Sequence, residues 1–382
     1  MTRLIVFNCF VLFAAQGNAQ KYNPNVNKAL SAIQNPIELV SDFESLGVKS
    51  PGSVEKLNTV NWIVAQYQAL GYDSIRIDSF TDAGTMVRNI IVTKSGQDSS
   101  YIVVCGHYDT RNGPGANDNG SGVAAIIETA RVLKDLNTTR GIQFIHFDKE
   151  EEGFVGSDYH VKQVLGQALD SNLYLVLNID QIGGSMDQPG NDRITCERDE
   201  DNGISTNNAP SWLITDTIAN LTNLYTTLKP EIDKAFLSDY IPFEQKGYVI
   251  TGLYQSASDL FGHSAADTLG NMDTVSFKQA VRLTVVASIH FAQVGQFISV
   301  APKTIPKFSI YPNPTSAAVH IRTHEASEHI TISDFAGRVV FSNYPIQNGT
   351  DIELGGFNAG SYVVTVTSKN GYQASKRVIV VK

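Results

Sequence analysis

The chain has 382 residues and a formal net charge of −9, from 38 acidic and 29 basic side chains. A chain of this length has room for two or three domains. The acidic balance argues against a nucleic-acid-binding protein, because neutralising phosphates requires a basic surface. With 42% hydrophobic and 18% charged residues, the composition is that of a globular protein able to build packed cores.

The N-terminus predicts export from the cytoplasm. Residues 1–19 carry Arg3, then an apolar run, and end in small residues before Gln20. This is the pattern of a secretory signal peptide cleaved after Ala19. An uncleaved anchor is the alternative, but the apolar run is short for a membrane span. No later stretch is long enough to cross a membrane, so we expect no transmembrane segment after signal cleavage.

Residues 20–300 alternate between helical and strand patterns. Helical spacing of apolar residues is found, in chain order, in 27–34 and 36–46 (both weak), 53–71, 123–136, 210–223 and 274–298. Strand patterns are found in 72–80, 88–96, 99–106, 141–148, 171–180 and 247–256. Residues 183–210 are polar and rich in Gly, Asn and Asp, which predicts a surface insertion. The alternation predicts a three-layer α/β domain with mostly parallel central strands and helices on both faces.

The character of the chain changes after Val300. Residues 301–307 contain two prolines and no periodicity, which predicts a linker. Residues 308–382 show short alternating strands broken by Gly and Asn at regular spacing. That spacing is typical of a small β-sandwich, so we expect a second domain there.

Metal-binding side chains follow the predicted strands of the first domain or precede its helices. They are His107, Asp118, Glu150 and Glu151, Asp180, and His263. Because the carboxyl ends of parallel strands meet at one edge of a sheet, we expect these groups to converge. Imidazole and carboxylate ligands without thiolate suit zinc in an open catalytic site.

The ligands are too many for a single ion. Two His and three carboxylates exceed one tetrahedral zinc, whereas two ions sharing a carboxylate would use all five groups. Each residue alone has an ordinary structural explanation. His107 could be an ordinary polar residue at a strand end and His263 a surface loop residue. Asp118 and Asp180 could be helix caps, and the Glu pair a solvated turn. The joint arrangement favours the metal site.

The motifs resemble those of the co-catalytic di-zinc exopeptidases, the bacterial leucyl aminopeptidases and their relatives. The resemblance covers about residues 25–298 and rests on motifs in family order: His-x-Asp, GANDNGSG, the Glu pair, Asn-x-Asp-x-x-Gly and a late His. It implies a secreted metalloexopeptidase that removes N-terminal residues from peptides or proteins, with two Zn²⁺ per chain. A free substrate α-amine coordinating one zinc would explain the exopeptidase action.

The resemblance also implies a role for each ligand. His107 would bind one zinc and Asp118 would bridge both ions. Glu151 and Asp180 would each bind one zinc, and His263 would complete the second site.

The remaining catalytic roles follow from the same resemblance. Glu150 would be the general base that takes a proton from the attacking water. Asp109 would accept a hydrogen bond from a histidine ligand and raise its basicity. Some relatives place a Tyr immediately before the last His, where this chain has Gly262. Tyr240 and Tyr248 are therefore candidates for stabilising the oxyanion, with packing tyrosines as the alternative.

The C-terminal domain resembles the sorting domain of proteins exported by type IX secretion. The resemblance rests on YPNP at 311–314, ISDFAGRVV, GSYVVTV and the basic pair Lys376 and Arg377. It implies that the type IX machinery is a partner. It also implies a secreted or cell-surface protein exported through the periplasm of a Gram-negative bacterium. An ordinary adhesive β-module is the alternative.

Other functions remain open at this stage. A carboxypeptidase or dipeptidase on the same fold would need a basic residue for the substrate carboxylate, and Arg193 or Arg198 could serve. Glutaminyl cyclisation is disfavoured because relatives with that activity use one zinc, whereas this chain keeps both ligand sets. A non-catalytic binding module would be expected to lack ligands, and all five positions are present.

Overall fold

A computed structural model of the chain describes residues 21–200, 204–295, 308–323, 327–334, 338–343, 349–368 and 373–382. The chain divides into two units, residues 1–298 and 299–382. The predicted signal peptide and linker lie outside the described residues. In the part of the chain that is described, no helix is both long and apolar enough to span a membrane.

The first unit is built on an eight-stranded sheet. Its strands are β1 (Ile75–Asp82), β2 (Thr85–Lys94), β3 (Tyr101–His107), β4 (Gly141–Phe147), β5 (Leu173–Ile179), β6 (Arg193–Arg198), β7 (Lys229–Lys234) and β8 (Ile250–Gln255). Their spatial order is β1-β2-β4-β3-β5-β8-β6-β7. The four central strands run parallel, and antiparallel pairs join them to the outer strands.

The central strands are buried on both faces because their apolar residues are consecutive. In β3, Ile102 and Val104 pack in the larger core, and Val103 and Cys105 pack in the core on the opposite face. Burial on both faces is the usual environment of parallel strands.

Helices cover both faces of the sheet. They are α1 (Pro24–Leu30), α2 (Pro36–Ser45), α3 (Val54–Ala69), α4 (Gly120–Leu133), α5 (Val155–Tyr159), α6 (Asn208–Tyr225), α7 (Ile241–Lys246) and α8 (Thr274–Phe291). Residues of α1–α4, α6 and α8 form the larger core, and α7 contributes Phe243 to the core on the other face. The predicted three-layer α/β fold is confirmed.

Two local predictions are wrong. Residues 183–210 are not only a surface insertion, because β6 lies within them, between β8 and β7, and buries Ile194 and Cys196. In β6 the apolar residues Ile194 and Cys196 alternate with polar ones, but the strand is only six residues long and lies in a polar segment, so the pattern is too short to mark it. The last helix of this unit, predicted to reach residue 298, ends at Phe291, and Val294 then forms a bridge with Thr138.

The second unit is an antiparallel β-sandwich. A three-stranded sheet holds β9 (Phe308–Tyr311), β10 (Ala318–Thr323) and β13 (Thr350–Glu353). A four-stranded sheet holds β11 (Ser327–Asp334), β12 (Val339–Asn343), β14 (Gly360–Ser368) and β15 (Gln373–Val380). Alternate residues such as Ile321 and Val364 come from the two sheets and form one core.

Candidate active site

The predicted metal ligands come together at the carboxyl edge of the parallel strands. His107 is the last residue of β3, and Asp180 directly follows β5. Asp118 lies just before α4, whose N-cap Asn119 accepts a hydrogen bond from the Gly122 N–H at 2.9 Å. The remaining ligands, Glu151 and His263, lie in the loops after β4 and β8.

The five side chains form two clusters that share Asp118. In the first, His107 Nε2 lies 3.3 Å from Asp118 Oδ1 and 3.4 Å from Asp180 Oδ1. In the second, His263 Nε2 lies 3.2 Å from Asp118 Oδ2 and 2.9 Å from Glu151 Oε2. The ligand atoms of each cluster lie within 4.8 Å of one another. Each cluster could therefore hold one ion, with Asp118 contacting both.

The hydrogen bonding of these oxygens fits a bound cation. Asp118 Oδ2, Glu151 Oε1 and Asp180 Oδ1 are buried, and none of them accepts a hydrogen bond within the described residues. A buried carboxylate oxygen without a donor is costly unless a positive charge satisfies it. Carboxylate and imidazole donors of this kind fit zinc.

The electrostatics of the site lead to the same conclusion. Burial, together with the negative charge of Asp180, raises the pKa of Glu150 to about 10. Burial and the charge of Asp118 raise the pKa of Glu151 to about 7. These carboxyl groups resist ionisation because partial burial and mutual repulsion both disfavour a crowd of negative charges. Cations bound among them would relieve the repulsion.

Asp109 supports the site differently from the prediction. His107 Nδ1 lies 3.1 Å from the backbone carbonyl of Asp109, whereas the Asp109 carboxylate is 3.6 Å away, beyond hydrogen-bond distance. That carboxylate instead accepts the backbone N–H groups of Glu150 and Glu151, at 3.1 and 3.3 Å. Asp109 therefore holds the Glu pair as well as facing His107.

Two supporting residues were not predicted from the sequence. Asp267 is buried, and its two carboxylate oxygens accept the backbone N–H groups of Asn117 and Asp118 at 2.8 and 3.0 Å. Ser238 Oγ donates to Asp180 Oδ2 at 2.7 Å. In the sequence, Asp267 follows His263 by four residues and Ser238 precedes Tyr240 by two. Closeness to a predicted site residue was the only feature that pointed to either of them.

The two candidate tyrosines have different surroundings. Tyr240 lines the cavity over the metal-ligand cluster, and its hydroxyl accepts the Phe236 N–H at 2.8 Å. The Tyr248 hydroxyl instead accepts the Asp170 N–H at 2.9 Å, and its ring packs on Phe243. For Tyr248 this favours the alternative of a packing tyrosine. Tyr254, which the sequence analysis missed, lines the cavity at the end of β8.

The cavity has a volume of about 810 Å³ and is lined by both metal-ligand clusters and Glu150. Neither arginine proposed for a substrate carboxylate lines it. Arg193 pairs with Glu231 at 2.5 Å, and the Arg198 guanidinium lies over the Trp212 ring. Among the described residues that line the cavity, Lys234 is the only Lys or Arg. The cavity is therefore predominantly acidic.

A largely parallel α/β sheet with imidazole and carboxylate groups at its carboxyl edge, below an open cavity, is typical of metal-dependent hydrolases. The model of peptidase family M28 matches residues 89–287. The chain belongs to this family. The model of the secretion-system C-terminal sorting domain matches residues 309–381, so the resemblance of the second unit is confirmed.

Curated proteins that are similar in sequence to part of the chain include two enzymes. Leupeptin-inactivating enzyme 1 of Streptomyces exfoliatus is 28% identical over 219 residues, which are 55% of this chain and 45% of that enzyme. Aminopeptidase YwaD of Bacillus subtilis is 34% identical over 119 residues, 30% of this chain and 26% of that enzyme. The chain spans less than half the length of these curated relatives.

A solved structure shares the fold. The LapA aminopeptidase of Legionella pneumophila has a TM-score of 0.61 and 19% identity, covering 76% of this chain and 80% of that one. At this identity the likeness shows the fold alone.

Proposed function

We propose that the protein is an exported zinc-dependent aminopeptidase that removes N-terminal residues from peptides. The observation that supports this most strongly is the pair of clusters sharing Asp118 beside an acidic cavity. Membership in a peptidase family makes peptide-bond hydrolysis the expected reaction.

Two Zn²⁺ would be held by the five predicted ligands. His107, Asp118 and Asp180 would hold one ion, and Asp118, Glu151 and His263 the other. When bound, such ions supply Lewis-acid chemistry: they make water acidic enough to react near neutral pH and stabilise negative charge on a carbonyl oxygen.

The protein's own groups would move the proton. Glu150 lines the cavity, belongs to neither cluster, and is fixed by the Asp109 carboxylate through its backbone N–H at 3.1 Å. Glu150 would accept a proton from the attacking water and deliver it to the leaving amine. Tyr240 and Tyr254 are the two tyrosines among the described residues that line the cavity, and we propose them as the candidates to face the reacting carbonyl.

The acidic cavity supports recognition of the N-terminus of the substrate. Glu197, Asp233 and Asp259 line it in addition to the groups already assigned. Their negative potential attracts a substrate ammonium group and repels a C-terminal carboxylate. This charge distribution favours an aminopeptidase over a carboxypeptidase.

The second unit would direct export. It matches a secretion-system C-terminal sorting domain, so we infer that the type IX machinery carries the peptidase from the periplasm to the surface or the medium. Peptide or protein N-termini outside the cell would then be its substrates.

One peptide in three forms tests the proposal. We expect the free peptide to lose its N-terminal residue, the N-acetylated peptide to resist, and the C-terminally amidated peptide to be cleaved at the free-peptide rate. Mass spectrometry of the products measures all three. Cleavage that ignores acetylation but stops on amidation would overturn the proposal in favour of a carboxypeptidase. Lys234 would then be the basic side chain in the cavity.

A further inference from the structure

The cavity extends beyond the metal-ligand cluster onto β6, β7 and β8. Thr195 and Glu197 of β6 line it, as do Glu231 and Asp233 of β7. The parallel register places Thr195 beside Glu231 and Glu197 beside Asp233. Three carboxyl groups therefore lie on one face of two adjacent strands, and we call Glu197, Glu231 and Asp233 the acidic wall.

Glu197 is the most buried member of this wall, at 5% exposure. It lies opposite Gly252 of β8, where an added Cβ would come within 2.3 Å of Glu197 Oε2. The absence of a side chain at Gly252 thus makes the space for this carboxyl group. The same added Cβ would come within 2.8 Å of Tyr240 Cε1, so the Tyr240 ring lies beside this space. Glu197 is therefore packed between β8 and Tyr240 at the cavity surface.

The basic side chains nearby leave Glu197 uncompensated. Arg193 pairs with Glu231 at 2.5 Å, which neutralises that member of the wall. The remaining member, Asp233, accepts the backbone N–H of Lys234 through Oδ1 at 2.8 Å. Among the described residues, Glu197 forms no ion pair within 4.0 Å. A carboxylate this buried is stabilised strongly by a positive charge that enters the cavity.

Apolar groups line the same cavity. Tyr254 and Ala257 form part of its lining, and Phe236 and Leu237, which are 70% and 60% exposed, add further apolar surface. A lysine or arginine side chain combines an apolar stem with a charged end. Such a side chain matches a lining that is part apolar and part carboxylate.

We propose that the cavity selects peptides whose N-terminal residue is lysine or arginine, with Glu197 as the counter-charge of that side chain. This inference rests on the proposed aminopeptidase function and adds a substrate class to it. Glu197 acts here as a specificity-determining residue.

The test compares lysyl, arginyl, norleucyl and leucyl p-nitroanilides on the zinc-loaded full chain. Norleucine has nearly the shape of lysine without the ammonium group, and all four substrates carry the same α-amine. The lysyl side chain can form a charge-assisted hydrogen bond with Glu197 in a desolvated site, and the norleucyl side chain cannot. We therefore expect kcat/KM for the lysyl substrate to exceed that for the norleucyl substrate about tenfold or more. Glu197→Gln should bring the ratio of lysyl to norleucyl kcat/KM close to one. Glu38→Gln, at an exposed site on α2, is the matched control.

The outcomes separate the two proposals. Hydrolysis of leucyl substrate with no lysyl preference would overturn the inference and leave the aminopeptidase intact. An equal loss for lysyl and norleucyl substrates in Glu197→Gln would also overturn it, because Glu197 would then bind the α-ammonium group.

A binding measurement covers the remaining case. If no aminoacyl substrate is cleaved, the aminopeptidase proposal fails, and calorimetry with L-lysinamide and L-norleucinamide tests the inference by itself. Tighter lysinamide binding that is lost in Glu197→Gln would support it, and equal affinities would refute it.

Discussion

Replacing Asp267 by Asn should weaken metal binding, although Asp267 is not itself a proposed ligand. Asp267 accepts the N–H groups of Asn117 and Asp118 with separate oxygens, at 2.8 and 3.0 Å, and lies on the loop that carries His263. An Asn side chain keeps one acceptor, so one buried N–H loses its partner, at a cost of about 1–3 kcal/mol of folding free energy. Loss of a group that orients a ligand typically lowers metal affinity about 10–100-fold.

The assay is competition with a chromophoric chelator, combined with urea unfolding of the same samples. The control is Asp273→Asn at the N-cap of α8, which removes the same charge, but here Oδ1 alone accepts two backbone N–H groups, both at 3.0 Å, so the Asn side chain keeps that acceptor. We expect the control to change little in stability and to keep its metal affinity, because Asn and Asp are similarly good N-cap residues. Unchanged affinity in Asp267→Asn, with the protein folded, would refute the reasoning.

Elemental analysis of protein purified without chelator should find about two zinc ions per chain; a ratio near one in fully active protein would contradict the shared-ligand arrangement. Glu150→Gln should keep the metal and the fold but lower kcat about 10²–10⁴-fold in steady-state assays, and near-normal turnover would exclude it as the base. Burial lowers the pKa of His146 to about 3, so the unfolded chain gains a proton below pH ~6.5 that the folded protein does not. The stability due to His146 is therefore complete above that pH and falls as the pH drops. Between pH 7.5 and 5.5, the free energy of unfolding measured in urea should fall by about 1.4 kcal/mol less in His146→Gln than in the unmodified protein. An equal fall in both proteins would count against a buried neutral His146. Deleting residues 308–382 should leave catalysis intact and trap active enzyme in the periplasm, as cell fractionation would show; normal secretion of the truncated form would argue against a sorting role.

The central part of the fold was predictable because its strands have consecutive apolar residues. The YIVVC run of β3 is buried on both faces, so its pattern does not depend on which side faces solvent. The outer strands β6 and β7 were not predictable. Their sequences, RITCER and KPEIDK, place charged residues where the sheet faces the cavity. In β6, Ile194 and Cys196 do alternate with polar residues, and in β7 Ile232 is flanked by acidic residues, but each pattern spans only six residues within a polar part of the sequence.

The convergence of the five candidate ligands could be predicted because it depends on topology, whereas the surrounding residues depend on distances that the sequence does not contain. His107 and Asp180 both follow buried parallel strands, so their convergence follows from the sheet. Tyr240 and Tyr248 looked equivalent in the sequence, but only Tyr240 lines the cavity. The acidic character of Glu197 was visible, but its burial opposite Gly252 was not.

The distribution of the five proposed ligands along the chain would link metal acquisition to folding. His107 comes from the end of β3 and His263 from the loop after β8, far away in the sequence, and among the described residues Asp118 is the only member common to both clusters. An unfolded chain cannot present such a site, so metal would bind only to the native protein. At a free-metal concentration a thousandfold above Kd, a single such site adds about 4 kcal/mol to the free energy of unfolding. The proposed metal centre would then stabilise the folded peptidase, so its lifetime outside the cell would depend on the zinc available there.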